Sequence, residues 1–380
     1  MIPLYLQSIT PTPIEMLLEE WKVRHSDCAF LLFLPEAESH QVQLIQSIFQ
    51  ERQIPLIGAI FPALVTSSGF RKEGGIFIGF PQRPHWFIVE SLNGDAGEIS
   101  KVIADNAEAA MNYCVSSDVQ LFLILDGMLS SIGSILVRLF DRLRRRCAYS
   151  GVCAGSESFI PKVCLFDNHR LISNGAIGIV FDRDPKITVH HGYPVSHGVS
   201  KSPMRATSAY GNRIDKIDGV PAMFVYKNLM ACEFGINLTN ENFYEYAVHY
   251  PFGLVQTLEI LVRIPVNFGS DGSIHCVGEV PPNSILRLLR APTLDQSTCV
   301  STLAEMLQSS ENGPLAVFYC AGRRMHFGDQ AQLELQRLQT KSNAKDIFGA
   351  LSLGEIGTDP DFGIPVFHNA ALVCWRIKSA

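Results

Sequence analysis

Arg323, Glu355 and the pair His368-Asn369 are the residues whose types and positions suit them to hold a small polar ligand. Arg323 follows Cys320-Ala321-Gly322 at the end of the apolar run P-L-A-V-F-Y-C. A guanidinium at the carboxyl end of a strand is a bidentate clamp for a carboxylate or phosphate. Glu355 stands in Gly354-Glu355-Ile356-Gly357, where glycine lets the backbone come close to a ligand and the carboxylate would accept an ammonium or amide. His368 and Asn369 lie where the last strand begins, in line with the same cleft. Each residue also has a plainer reading: a salt bridge across the loop for Arg323, a loop cap for Glu355, a satisfied polar plug for His368.

Other groups carry weaker signals. His249 sits in Tyr246-Ala247-Val248-His249-Tyr250-Pro251-Phe252, an aromatic and apolar setting that would suit an axial ligand to haem iron, against the plainer reading of a core or rim histidine. His190-His191, with His197 beyond, matches no standard zinc spacing and reads as a loop cluster. Cys320, His368 and Glu355 would make a nucleophile, base and acid for cysteine-dependent acyl or amide chemistry, but nothing local except the arginines would lower the thiol pKa. There is no G-x-S-x-G, no P-loop and no G-x-G-x-x-G, so the common hydrolase and nucleotide signatures are missing.

The elements that must position these residues repeat one plan three times. A wholly apolar strand, a helix, a second strand, a loop and a further strand recur around Ala29, Gln120 and Leu315. In the first copy the strands are expected at 28–34, 54–60 and 75–80, with a loop over 61–72 and a strand over 84–90 pairing beside the third. In the last copy 321–324 is expected as loop, 328–340 as helix and 365–377 as one final strand. Strands apolar along their whole length need cover on both faces. The expected class is therefore α/β: two domains, 1–190 and 191–380, with mixed β-sheets covered by helices in an αββα-like sandwich.

Bulk properties narrow the function. At 380 residues two domains are the natural prior. A chain 47% hydrophobic and only 18% charged builds large buried sheets rather than disorder. The net charge of −6, and the lack of any stretch interleaving basic and aromatic residues, argue against nucleic acid as a partner. No apolar run approaches the roughly 20 residues of a membrane span. The start, M-I-P-L-Y-L-Q-S, lacks an export signal. Ten cysteines scattered singly, with no C-x-x-C, read as reduced buried thiols and a cytoplasmic location.

On six motifs the chain resembles the FIST-domain proteins, sensory modules with an N-terminal and a C-terminal half. They are Ser150-Gly151-Val152-Cys153-Ala154-Gly155, Gly211 to Ala222, His249-Tyr250-Pro251-Phe252-Gly253, Cys320-Ala321-Gly322-Arg323, Leu353-Gly354-Glu355-Ile356 and Phe367-His368-Asn369. The resemblance covers nearly the whole length and implies a cytoplasmic sensor of a small molecule such as an amino acid. The ligand would lie in the C-terminal half, with Arg323, Glu355, His368, Asn369, Cys320, Gly322 and Gly354 around it. It also implies output through a separate protein: a histidine kinase, a cyclic-di-nucleotide enzyme or a chemotaxis protein. Some relatives bind haem and sense nitric oxide, which makes His249 the residue to watch. A structural adaptor is the remaining reading. One departure stands out: a small polar turn like T-A-G-E is replaced by Phe61-Pro62-Ala63-Leu64, which argues against a polar site in the N-terminal half and fits an apolar ligand or a packed interface.

Overall fold

The computed structural model describes residues 1–116, 118–182, 187–193, 202–256, 260–307, 312–358 and 363–377. His197 lies outside them. The repeat is real and longer than the sequence pattern suggests. Each copy runs edge strand, helix, strand, helix, strand, hairpin, strand. In the first copy these are Ile2–Leu6, Pro11–Arg24, Ala29–Pro35, Val42–Glu51, Leu56–Phe61, the hairpin Leu64–Thr66 with Gly69–Arg71, and Gly75–Phe80. The second copy runs His85–Val89, Ala96–Met111, Val119–Asp126, Ile132–Leu143, Ala148–Ala154, the hairpin Leu165–Asp167 with Leu171–Ile172, and Ala176–Asp182. The third runs Thr188–His190, Cys299–Met306, Leu315–Cys320, Gln330–Lys341, Ile347–Ser352, the hairpin Glu355–Thr358 with Pro365–His368, and Leu372–Arg376. Between its edge strand and its first helix the third copy carries an insertion.

Each copy builds most of a six-stranded mixed sheet and gives its hairpin away. The hairpin of the first copy pairs with Ile347–Ser352 of the third, that of the second with Leu56–Phe61 of the first, and that of the third with Ala148–Ala154 of the second. The exchange is a closed three-way cycle. Within each sheet the two central strands are parallel and flanked by antiparallel ones, and the crossover is a helix, as a parallel connection requires.

Three sheets face one shared core. Phe33 and Phe61 of the first sheet, Phe122 of the second, and Phe318 and Trp375 of the third meet ring to ring, with Phe318 touching the other four. Helices cover the outer faces: Ala96–Met111 and Ile132–Leu143 on the second sheet, Cys299–Met306 and Gln330–Lys341 on the third. The expected α/β class with helix-covered mixed sheets holds, with three sheets round the core.

The insertion is a smaller antiparallel β-sandwich. One sheet orders Met204–Arg205, Ile285–Leu288, Phe252–Val255 and Ile260–Arg263; the other orders Ser208–Tyr210, Arg213–Ile217, Ile274–Cys276 and Pro265–Phe268. The helix Ala222–Phe234 closes their joint core through Met223, Tyr226 and Met230.

Four local expectations are corrected. The segment 61–72 holds the exchanged hairpin, because Leu64 and Val65 bury against the third sheet. His85–Val89 pairs with Ala176–Asp182 in the second sheet, not with Gly75–Phe80. Residues Ala321–Phe327 form a short helix rather than a loop. The stretch 365–377 is two strands in different sheets, broken at Ala370, whose φ of 57° turns the chain. The 190/191 division also falls inside a sheet, since Thr188–His190 pairs with Leu372–Arg376.

Candidate functional site

Strand ends bring three of the predicted residues, Cys320, Gly322 and Asn369, to one place. Leu315–Cys320 and Ile347–Ser352 run parallel and in register, so Cys320 and Ser352 are opposite each other at their carboxyl ends. The carboxyl ends of parallel strands are where open α/β sheets bind ligands. The turn before Leu372–Arg376 brings Ala370 N–H to Cys320 Sγ at 3.2 Å. The second copy does the same with a carboxylate: Asn174 N–H donates to Asp126 Oδ2 at 2.7 Å. Cys320 therefore occupies a structural slot of the repeat.

Between these ends lies a small cavity of about 10 Å³, room for a single water molecule. Cys320, Gly322, Ser352 and Asn369 provide its polar and backbone wall, and Phe159, Tyr244, Ile264 and Val277 its apolar wall. Asn369 Nδ2 donates to His368 O, whereas Asn369 Oδ1 is buried without a hydrogen-bond partner. Ser352 Oγ is hydrogen-bonded to Glu355 Oε1.

Glu355 stands one layer behind. Its carboxyl is fully buried and accepts from Ser352 Oγ, from Ala371 N–H at 3.3 Å and from the Cys320 thiol. Burial pushes its pKa up to about 8, against the pull of those donors and of Arg323. At neutral pH the carboxyl holds its proton.

Arg323 is differently engaged. Nε and Nη2 grip the Glu334 carboxylate at 2.8 and 2.6 Å, Nη1 donates to His191 O and Ala370 O, and Nη2 also donates to Ser297 Oγ. All five donors of the guanidinium are consumed by the protein, and Tyr319 OH donates to the same carboxylate at 2.6 Å. The side chain is 2% exposed and packs over Phe327. It ties the short helix, the helix Gln330–Lys341 and the turn at Ala370 together, and leaves no N–H for a ligand.

The remaining predicted residues fall as follows. His368 pairs opposite Glu355 across the exchanged hairpin, and its ring centre lies 6.4 Å from that of His191. Gly354 packs under Phe367, where a Cβ would come within 2.3 Å of the ring; its smallness serves packing. His191 is held neutral, its pKa lowered to about 3 by burial and by its histidine and arginine neighbours. No group of three or more metal-ligating side chains exists among the described residues.

His249 forms a dyad that sequence alone did not show. Its Nδ1 lies 2.7 Å from His326 Nδ1, and His326 Nε2 lies 2.9 Å from Pro292 O. A carbonyl only accepts, so His326 carries its hydrogen on Nε2 and presents a bare Nδ1. His249 must then donate from Nδ1 and keep a bare Nε2; this assignment follows from the network. Burial lowers both pKa values, that of His326 to about 4.

Sequence reasoning missed Ser352, Phe159, Tyr244 and Glu334. Glu334 had left a trace: it lies on the same helical stripe as the apolar Ala331, Leu335 and Leu338, and a lone charge on an apolar stripe calls for a buried partner. Phe159 and Tyr244 are separated by 85 positions and meet edge to face at 5.8 Å; no local pattern links them.

These residues form a small hollow at the strand ends of a repeated α/β scaffold. The chain belongs to the FIST family: residues 28–220 match the FIST N domain and residues 222–358 the FIST C domain. FIST domains are associated with small-ligand sensing and signalling. No curated protein matches the chain. No helix among the described residues is long and apolar enough to cross a membrane.

Proposed function

We propose that this protein senses a small ligand carrying an amine or amide group, bound at the Cys320–Ser352–Asn369 cavity, and signals through a separate protein. The observation that carries this reading is Asn369 Oδ1, a buried acceptor without a hydrogen-bond partner on a residue that lines the hole. An unmade buried hydrogen bond costs about 1–3 kcal/mol, and a ligand N–H recovers it. Glu355 behind Ser352 supplies charge when needed: an ammonium favours its carboxylate form, so binding expels the proton. Arg323 shapes the site through Glu334, and the ligand needs no carboxylate.

Phe159 and Tyr244 line the hole and meet edge to face, one from each family half, and Phe159 holds a φ of 52° that a non-glycine residue rarely adopts. Admitting a ligand larger than water parts these rings and moves the inserted sandwich against the repeat. The size of that response is limited by the ligand's preference for the open state. The receiver is a histidine kinase, a cyclic-di-nucleotide enzyme or a chemotaxis protein in the cytoplasm. Ten free cysteines, eight of them buried, suit that reducing compartment. Burial and the Glu355 carboxylate push the Cys320 thiol far above its usual range, which disfavours a cysteine nucleophile.

The test is titration calorimetry at pH 7 against amino acids, their amides and simple primary amines, in two buffers of different ionisation enthalpy. One member should bind with proton release. Asn369→Leu should weaken it at least tenfold, and Glu355→Gln should remove the proton release. Absence of binding across the panel, or binding indifferent to Asn369→Leu, would sink the reading.

One observation favours a second reading. The bare Nε2 of His249, oriented by a hydrogen bond through its other nitrogen, is the arrangement an imidazole needs to ligate haem iron. Haem there would supply a gas-binding iron. Protein grown with haem available should then show a Soret band that His249→Ala shifts and His326→Ala broadens; a colourless protein indifferent to hemin rules it out.

A further inference from the structure

A large groove in the N-terminal half shares no lining residue with this site. It measures about 560 Å³, within the range of small-ligand and peptide clefts. One wall is the strand His85–Val89, which pairs with Ala176–Asp182 on one side and with no strand on the other among the described residues. The opposite wall is the segment Ile54 to Ile57 and the tip of the hairpin exchanged from the second copy, Asp167 to Arg170. The groove is therefore the mouth between two facing sheets, with a free strand edge along it.

That edge is unguarded. Sheet edges are usually blunted by proline, lysine, a bulge or an inward charge. The equivalent edge strand of the first copy, I-P-L-Y-L, contains Pro3, whereas H-W-F-I-V carries no proline, no lysine and no bulge. Trp86 and Ile88 are half-buried along the groove. Its lining charges are two arginines against one aspartate. Arg170 is neutralised by Asp167 and Glu90, while Arg83 is exposed, stacks over Trp86 at 5.4 Å and has no acidic partner among the described residues.

From these features we infer that the groove docks an extended, acidic segment of a partner polypeptide, added as a further strand on His85–Val89. The partner's backbone takes the open hydrogen bonds of the edge. One row of its side chains lies on Trp86, Ile88 and the Ile54–Ile57 wall, and a carboxylate meets Arg83. This supplies the output surface that the sensor reading calls for, but its test uses ligand-free protein, so the two succeed or fail separately.

The experiment is panning of a phage-displayed library of random ten-residue peptides on the full chain without ligand. The leading sequence is then synthesised with fluorescein and titrated by fluorescence polarisation. Enriched peptides should combine aspartate or glutamate with β-branched residues. Arg83→Glu, at an exposed position that leaves the fold intact, should weaken binding at least tenfold. Methylating alternate backbone nitrogens of the peptide should abolish it in one of the two registers. Emission from Trp86 should shift, and Trp86→Phe should remove the shift, since Trp21 and Trp375 are buried. The proposal is overturned if no peptide is enriched, or if enriched peptides bind Arg83→Glu and both methylated forms equally. Sedimentation showing that the edge instead pairs two copies of this chain, with Arg83→Glu or Trp86→Lys releasing monomers, also overturns it.

Discussion

At the scale of single residues, two buried carboxylates have opposite roles. Glu334 answers Arg323 with both oxygens inside the protein. Glu334→Ala would strand a guanidinium among apolar neighbours, and breaking one side of such a pair costs about 3–5 kcal/mol. Chemical denaturation should show a loss of that size, with Glu334→Gln losing less because it keeps one acceptor. Glu355 is instead a liability for stability. Its folded pKa of about 8 lies above the ordinary value of 4.5, so the folded state holds a proton that the unfolded chain has released. Its contribution is full below about pH 4.5, falls as pH rises through the window, and is flat above about 8. Glu355→Gln should therefore gain in Tm relative to the parent between pH 5 and pH 8; parallel curves for the two would refute a buried, protonated Glu355. The sequence named Glu355, Cys320 and Asn369 because glycine spacing and strand ends are local signals. It did not show that Arg323 is spent on Glu334, because that depends on the tilt of a helix eleven residues away.

At the scale of elements, the apolar strands at Ala29, Val119 and Leu315 and their crossover helices were legible from composition alone, since double-sided burial leaves an unbroken hydrophobic run. The exchanged hairpins were not. Leu64-Val65-Thr66 is three residues long and pairs with residues 282 to 286 positions away, so its partner leaves no periodic trace. His85–Val89 was legible as a strand but assigned to the wrong sheet, because sequence neighbours are usually spatial neighbours and here the chain changes layer. Three glycines mark where each second strand accepts a hairpin: Gly58, Gly151 and Gly349. Gly349 has a φ of 155° and no room, since a Cβ would lie 1.9 Å from Val317 O. Gly349→Ala must displace backbone in the centre of the third sheet and is expected to cost more than about 3 kcal/mol. Gly219→Ala, in an open turn with nothing within 4 Å, should cost only about 1 kcal/mol, from its φ of 82°. Comparable losses at the two positions would mean that conformation alone, and not the close approach, sets the penalty.

At the scale of the whole molecule, the family's two halves are units of sequence, while the cycle of hairpins makes one unit of folding. The second sheet is completed by Glu355–Thr358 and Pro365–His368 from the C-terminal half, and the third by Leu64–Thr66, Gly69–Arg71 and Thr188–His190 from the N-terminal half. Remove either half and the other keeps an unpaired inner strand edge, a hairpin with no sheet, and an aromatic core opened where Phe33, Phe61 and Phe122 meet Phe318 and Trp375. A cavity lined by Phe159 from one half and Tyr244 from the other then depends on both halves being in place. The consequence is measurable. The full chain should unfold in urea with tryptophan emission, reporting Trp21, Trp86 and Trp375, coincident with far-ultraviolet circular dichroism, apart from any earlier step confined to the inserted sandwich. A fragment of residues 1–220 should show no sharp transition and be cut rapidly by protease within the Ala148–Ala154 strand, because that edge and the Phe122 face are left open. Adding residues 221–380 as a separate chain should restore protection, since the cycle can close between two chains as it does within one. A fragment of residues 1–220 that unfolds cooperatively by itself would show that the exchange is decoration on two independent domains rather than the closure of a shared core.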